Sequence, residues 1–338
     1  MTRDVAATTP VPLFRHLAGE RLFENPDPRF REYRRLWAER PLSAEPGPFP
    51  LFLDIEVTNL CNLRCSFCAT TYFGPEVRRG RIDPEIMRAV LEEGAAKGLY
   101  GVKFNDRGEP LLHPQLFDFV RQAKACGLVD VYFNTNAMLL DEDKARQAVA
   151  SGLDRISISV EGREAGVYER HRVGGRFETV LANVRRLREL RDASGSLTPR
   201  IRVQSVLLPE LAGDLPAYAD FWMSWADEVA VLEFKQEADS AARERQAPLQ
   251  WACPQLWQRM TIWWDGTILA CNEDDRGLQA LGNIRQMCVA EAWQSEKLAI
   301  LRDKHRQGLA HLCPACDGCN LRDVELRKAR AAAQRSTL

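Results

Sequence analysis

The chain has 338 residues, of which 45% are hydrophobic and 28% charged, with a formal net charge of −1. That is enough chain for one large domain and a smaller one. Its near-neutral charge gives no reason to expect a nucleic-acid or membrane-surface binder. No run approaches the ~18 apolar residues of a membrane span, and residues 1–20 lack the apolar core of a secretory signal, so a cytoplasmic protein is expected. In that reducing setting the ten cysteines read as ligands or core residues rather than a disulfide framework.

Residues 1–50 are rich in Pro, Arg and Glu and read as an N-terminal extension with one short helix around Phe30–Trp37, ending in the turn Glu45-Pro46-Gly47-Pro48. A strand–helix alternation follows. Strand-like runs are Leu51–Val57, Gly101–Asn105, Asp130–Asn134, Arg155–Val160, Arg200–Leu208 and Glu228–Phe234. Helical periodicity falls on Pro84–Ala95, Pro114–Ala125, Asp141–Ala150, Phe177–Arg191 and Leu215–Ala226, with Asp83-Pro84 supplying an N-cap and a first-turn proline. Six such units with near-continuous apolar strands predict an α/β fold, a parallel sheet buried on both faces and curved into a partial (β/α)6 TIM-like barrel spanning 51–238. The basic run Arg185-Arg186-Leu187-Arg188 reads as a solvated helix face.

Asp239–Gln250 reads as a polar linker. Beyond it come Trp251, Trp257, Trp263, Trp264 and Trp293, a hairpin turn at Asp265-Gly266, a helix over Glu291–Arg306, and five clustered cysteines. A small unit of this kind, 239–322, needs a metal centre to hold it together. Residues 323–338 are a charged tail. Cys126 and Cys288 stand apart and are expected to be small buried apolar residues.

The chemistry concentrates at strand ends, where a parallel sheet gathers its ligands. The first strand runs into Cys61-x3-Cys65-x2-Cys68. Three thiolates on one loop leave a tetrahedral centre one ligand short, so one position is open to a reacting ligand. The second strand ends at Arg107-Gly108-Glu109-Pro110, the fourth at Ser157–Gly162. Toward the C-terminus lie Cys253, Asp265-Gly266-x4-Cys271, Leu281-Gly282-Asn283-Ile284 and Cys313-x2-Cys316-x2-Cys319.

The three-cysteine loop, with Phe67 before its last cysteine, resembles the signature of radical S-adenosylmethionine (radical SAM) enzymes. Arg107–Pro110 resembles that family's Gly-Gly-Glu motif, Ser157–Gly162 its ribose-contacting segment, and Tyr168–Arg172 the stretch after it. The resemblance implies a [4Fe–4S] cluster on Cys61, Cys65 and Cys68, with S-adenosylmethionine chelating the free iron and yielding a 5′-deoxyadenosyl radical. It implies further that Glu109, after Gly108, meets the cofactor's ammonium group. Ser159 and Arg172 would meet its carboxylate, Glu161 its ribose and the backbone at Phe67 its adenine. Arg107 departs from the family glycine and Glu161 from the commoner aspartate, which leaves the role of Arg107 open. The C-terminal cysteines resemble the SPASM extension in its shorter twitch form. An auxiliary [4Fe–4S] cluster would sit on Cys253, Cys271, Cys313 and Cys316, with Cys319 surplus or a substitute. A structural zinc site is the competing reading.

The resemblance implies a one-electron reductant such as flavodoxin or ferredoxin and a small-molecule substrate. The leading expectation is hydrogen abstraction from a carbohydrate-like molecule (an aminocyclitol, aminosugar or nucleoside), because the chain shows no peptide-recognition domain. Modification of a ribosomal peptide is the alternative enzyme; a non-catalytic zinc-stabilised binding protein is the alternative class. Candidate catalytic groups are Glu233, Lys235 and Glu237 at the end of the sixth strand, with Gln204 on the fifth.

Overall fold

The computed structural model describes residues 14–19, 25–232 and 248–335. Its strands in chain order are β1 (Phe14–Gly19), β2 (Phe52–Ile55), β3 (Arg64–Cys65), β4 (Gly101–Lys103), β5 (Asp130–Thr135), β6 (Arg155–Ser159), β7 (Arg172–Val173), β8 (Arg200–Val206), β9 (Glu228–Leu232), β10 (Arg259–Ile262), β11 (Thr267–Leu269) and β12 (Ala280–Asn283). Ten of them form one sheet in the order β1-β9-β8-β6-β5-β4-β2-β10-β11-β12. The six strands expected from the sequence are its centre, and each neighbouring pair among them is parallel. Helices cross between them, so the α/β partial barrel is present. Two additions come from outside the alternation. β1 pairs antiparallel with β9, and β10 pairs parallel with β2, Thr261 opposite Asp54. The barrel sheet therefore runs on without a break into the C-terminal hairpin, which turns at Asp265-Gly266.

Local sequence sets the helix ends. Asp83 accepts from the Glu85 amide at 3.0 Å and Pro84 opens the helix Pro84–Lys97, which stops at Gly98 with φ of 83°. The expected single helix over Glu291–Arg306 is broken. One short helix ends at Trp293, and Ser295 caps a new one, Glu296–Arg306, by accepting from the Leu298 amide. The tail is also ordered into a helix, Asn320–Arg335. Cys288 corrects an expectation: it is exposed, at the N-terminus of the helix Val289–Trp293, whereas Cys126 is half-buried against the core.

The strands are buried on both faces, as expected, but only one face is apolar. Residues alternate with period two. Leu53, Ile55, Val102, Val131, Phe133, Ile156, Ile158, Ile201 and Val203 face the helices and form the main core. The other parity carries Asp54, Lys103, Asp130, Arg155, Ser157, Arg202 and Glu228, all buried and kept in line by the strand registers. Charges on a buried face must pair. Arg155 is bidentate to Asp130 at 2.9 and 3.0 Å and lies 3.5 Å over the Tyr132 ring. Arg202 meets Glu228 at 2.7 Å, and Asp54 holds both Lys103, at 2.7 Å, and Arg259, at 3.2 Å. The helix Pro28–Ser43 packs Phe30, Tyr33 and Trp37 onto Phe52 and Val129 and covers the amino-terminal end of this face. The carboxyl-terminal end stays free for chemistry.

Arg155→Met is expected to cost about 3–5 kcal/mol, because it leaves Asp130 buried without its counter-charge. The shift in denaturant midpoint checks this, with iron content unchanged since Arg155 lies at the opposite end of its strand from the cysteine loop.

Candidate active site

The cysteine loop leaves β2 and returns as the two-residue strand β3, which pairs antiparallel with β7, Cys65 opposite Arg172. The Ser66 amide extends this ladder to the His171 carbonyl at 3.0 Å. That pairing delivers Arg172 to the cysteines. Its Nη1 donates to the Cys65 sulfur at 3.7 Å, while Nη2 donates to Glu161 at 2.8 Å and Nε to the other oxygen of the same carboxylate. The guanidinium also lies 5.3 Å from the Phe67 ring centre. Glu161, expected near ribose hydroxyls, is thus the buried counter-ion of Arg172. Ser159 ends its strand half-buried, in register with Gln204.

Each sulfur of the loop faces a donor. The Leu63 amide donates to Cys61 at 3.4 Å, the Thr70 hydroxyl lies 3.0 Å from Cys68, and Arg172 serves Cys65. Burial pushes the Cys61 thiol up and the Cys65 thiol to about 11, with Arg172 opposing the rise. Thiols that burial holds neutral, yet that are supplied with donors suited to thiolates, fit a site whose charge is completed by a bound cation.

Gly108 and Glu109 are fixed against this loop. Gly108 has φ of 75°, and a Cβ there would lie 2.4 Å from the Thr58 carbonyl oxygen and 2.7 Å from that of Leu60. Only glycine permits that approach. The Glu109 amide then donates to the Leu60 carbonyl at 2.8 Å. The Glu109 side chain is buried and accepts from the Leu111 amide at 3.1 Å, the Thr135 hydroxyl at 2.7 Å and the Asn136 amide at 2.8 Å. Burial raises its pKa, and no ion pair to it is formed among the described residues. A desolvated carboxylate held by neutral donors suits an incoming ammonium group.

Arg107 turns away from the loop. It clamps Glu56 with Nε at 2.6 Å and Nη2 at 2.9 Å, stacks 3.4 Å from the centre of the Trp263 ring, and reaches the Asp275 carbonyl at 3.3 Å. Trp263 in turn donates Nε1–H to Asp106 at 2.9 Å. Burial and the nearby Glu56 charge raise Asp106 to about 7. Arg107 therefore fastens the end of β2 to the C-terminal hairpin. Neither Trp263 nor Asp106 was singled out from the sequence. The available signal was that Trp263 precedes the hairpin turn and would cap the continuing sheet.

In the C-terminal unit burial raises the Cys253 and Cys271 thiols and the hydrogen bond with Cys313 raises that of Cys316, with Cys319 adding to each rise; the same hydrogen bond lowers Cys313 to about 7. Among the described residues no three Cys, His, Asp or Glu side chains converge as a single-ion site requires. Cysteine thiolates are the donors that an iron–sulfur cluster takes, and Cys253, Cys271, Cys313, Cys316 and Cys319 lie in this unit. His305, buried at 2% exposure, lies against this group, a residue the sequence reading passed over. A cavity of 920 Å³ separates the two cysteine regions. Its wall includes Ala69, directly after Cys68, on one side and Cys319 on the other. Glu233, Lys235 and Glu237 lie outside the described residues.

The profile of the radical SAM superfamily matches residues 55–199, and that of the SPASM iron–sulfur cluster-binding domain matches residues 253–320. This chain belongs to the radical SAM superfamily. Its C-terminal unit is the SPASM-type domain, and its cofactors are S-adenosylmethionine and iron–sulfur clusters. The tungsten-containing aldehyde ferredoxin oxidoreductase cofactor-modifying protein of Pyrococcus furiosus is 22% identical over 322 residues, 81% of this chain and 88% of that one. Several GTP 3′,8-cyclases match a shorter stretch; the chain spans 40% of the one from Lactiplantibacillus plantarum, at 32% identity. Among solved structures, BtrN in complex with AdoMet and 2-DOIA superposes with a TM-score of 0.53 at 18% identity, over 80% of this chain and 92% of that one. Streptococcus suis SuiB bound to S-adenosylmethionine superposes with a TM-score of 0.57 at 14% identity, over 86% and 76%. Those structural likenesses share the radical SAM fold. Among the described residues no helix is long and apolar enough to cross a membrane.

Glu109→Gln is expected to weaken S-adenosylmethionine binding at least ~10-fold, about 1.4 kcal/mol, while iron content holds. Anaerobic equilibrium dialysis measures it. Asp106→Asn tests the buried acid. Between about pH 4 and 7 the folded Asp106 retains a proton that the unfolded chain releases, so wild-type stability falls as pH rises through that window. The variant lacks this loss, and its stability relative to wild type should improve between pH 5 and pH 8 by on the order of 1–3 kcal/mol. Denaturation midpoints across pH give the comparison.

Proposed function

We propose that this radical SAM enzyme abstracts hydrogen from a carbohydrate-like small molecule, an aminocyclitol, aminosugar or nucleoside, in natural-product or polysaccharide biosynthesis. The outcome is oxidation, epimerisation, dehydration or decarboxylation. The observation that carries this reading is the 920 Å³ cavity between the two cysteine regions. That volume suits one small molecule. Its wall includes the acidic residues Glu76, Asp275 and Asp323 and the basic residues Arg78, Arg107 and Arg276. Hydroxyl and ammonium groups would donate to the former, and ring or hydroxyl oxygens would accept from the latter.

When bound, the cluster and S-adenosylmethionine supply a 5′-deoxyadenosyl radical. The residues of this chain bind and orient. Cys61, Cys65 and Cys68 would hold the first cluster, and Glu109 would receive the cofactor's ammonium group. Arg172 and Ser159 would meet its carboxylate; Glu161, which holds Arg172, would meet the ribose; the backbone at Phe67 would meet the adenine. Cys253, Cys271, Cys313 and Cys316 would provide the four ligands of one auxiliary cluster, with Cys319 surplus or a substitute. The working division of the chain is an N-terminal extension 1–50, a barrel 51–238, an auxiliary-cluster domain 239–322 and a tail 323–338. A flavodoxin or ferredoxin in the cytoplasm would supply the electron.

Anaerobic incubation with amino sugars, cyclitols, nucleosides and peptides, following 5′-deoxyadenosine and deuterium transfer, tests the proposal. Deuterium is expected from a sugar-like substrate; transfer only from peptides would replace this reading with a peptide-modifying one. Cys68→Ala should abolish 5′-deoxyadenosine formation. Cys316→Ala should keep part of it while stopping substrate turnover, and full turnover in that variant would remove the auxiliary cluster from the scheme.

A further inference from the structure

His305 is buried on the helix Glu296–Arg306 and touches both ends of the C-terminal unit. The Cys253 backbone amide donates to its Nδ1 at 3.2 Å, and its Nε2 lies 3.3 Å from the Cys316 sulfur. A backbone amide can only donate, so Nδ1 must present its lone pair. The ring proton is then on Nε2, directed at Cys316. The tautomer follows from the amide contact alone. One imidazole thus ties two cysteines 63 residues apart in sequence, Cys253 through its backbone and Cys316 through its sulfur. The Ala315 amide, beside Cys316, donates to the Gln279 side-chain oxygen at 3.2 Å, and the same oxygen lies 3.8 Å from the Cys316 sulfur.

We propose that His305 is a positioning residue that donates Nε2–H to the Cys316 thiolate and raises the reduction potential of the auxiliary cluster. A donor to a ligating sulfur withdraws negative charge and favours the reduced, more negative cluster. Such tuning matters if the cluster is to accept an electron. This inference rests on the reading of Cys316 as a ligand of that cluster.

The test uses full-length protein with Cys61, Cys65 and Cys68 replaced by alanine, so that only the auxiliary cluster carries iron. Its potential is titrated by electron paramagnetic resonance with His305 intact, and in His305→Leu and His305→Gln. Leucine should lower the equilibrium constant for reduction at least ~10-fold, about 59 mV for one electron. Glutamine keeps an N–H near the Nε2 position and should stay within about threefold of the parent (a fraction of that 59 mV step). Equal potentials in all three proteins, or equal shifts for leucine and glutamine with iron retained, overturn the proposal. If His305→Leu loses its iron, the protein with His305 intact decides. Histidine labelled with nitrogen-15 should show a hyperfine coupling to the reduced cluster, and its absence overturns the proposal. Failure of the parent itself to bind iron would instead reject the auxiliary-cluster reading, before any change at His305.

Discussion

The backbone of Gly108 lies against the backbone of Thr58 to Leu60 with no room for a side chain. That contact joins the loop after β2, which carries the cysteines, to the loop after β4, which carries Glu109. The hydrogen bond from the Glu109 amide to Leu60 closes it. Because the two loops form one rigid piece, the carboxylate and the three sulfurs hold a set relation before any cofactor arrives. Binding then costs little ordering of the protein. The β3–β7 ladder adds Arg172 to the same piece, and Arg172 brings Glu161.

The polar parity of the barrel strands gives this piece its setting. A parallel sheet with two apolar faces would make a solid core; here one face carries paired charges along its length. At the amino-terminal end the pairs are complete, as with Asp130 and Arg155, and covered by the helix Pro28–Ser43. At the carboxyl-terminal end Glu109 is buried and makes no ion pair among the described residues. The same face continues through β10 to Trp263, where Arg107 stacks. Arg107 stands where the resemblance implies glycine, and it fastens barrel to hairpin beside the cavity whose wall holds both Ala69 and Cys319. Nothing in its immediate sequence indicates that partner, since Glu56 and Trp263 lie 51 and 156 residues away.

Much of the fold could be read because the signals are local. Asp83-Pro84 and Gly98 mark a helix through capping chemistry that needs no distant partner, and six apolar runs separated by helical periodicity imply a parallel sheet. The errors have the same origin. Glu291–Arg306 kept helical periodicity across a break made by the Ser295 cap. β1 was too isolated to read as a strand until β9 offered its edge. Cys288 looked like core sequence, yet the helix it precedes turns it outward.

By itself, the sequence determined the three-cysteine loop, the Gly108-Glu109 pair after the second strand and the cysteine-rich C-terminal unit. Ligand spacing and strand alternation are properties of adjacent residues. Only the tertiary structure decided which donors face the sulfurs, that Glu161 pairs with Arg172, that Arg107 clamps Glu56 beneath Trp263, and which nitrogen of His305 carries its proton. Each of these depends on groups brought together by strand order and register, and in a buried site the energy of a charge is set by the partner it meets.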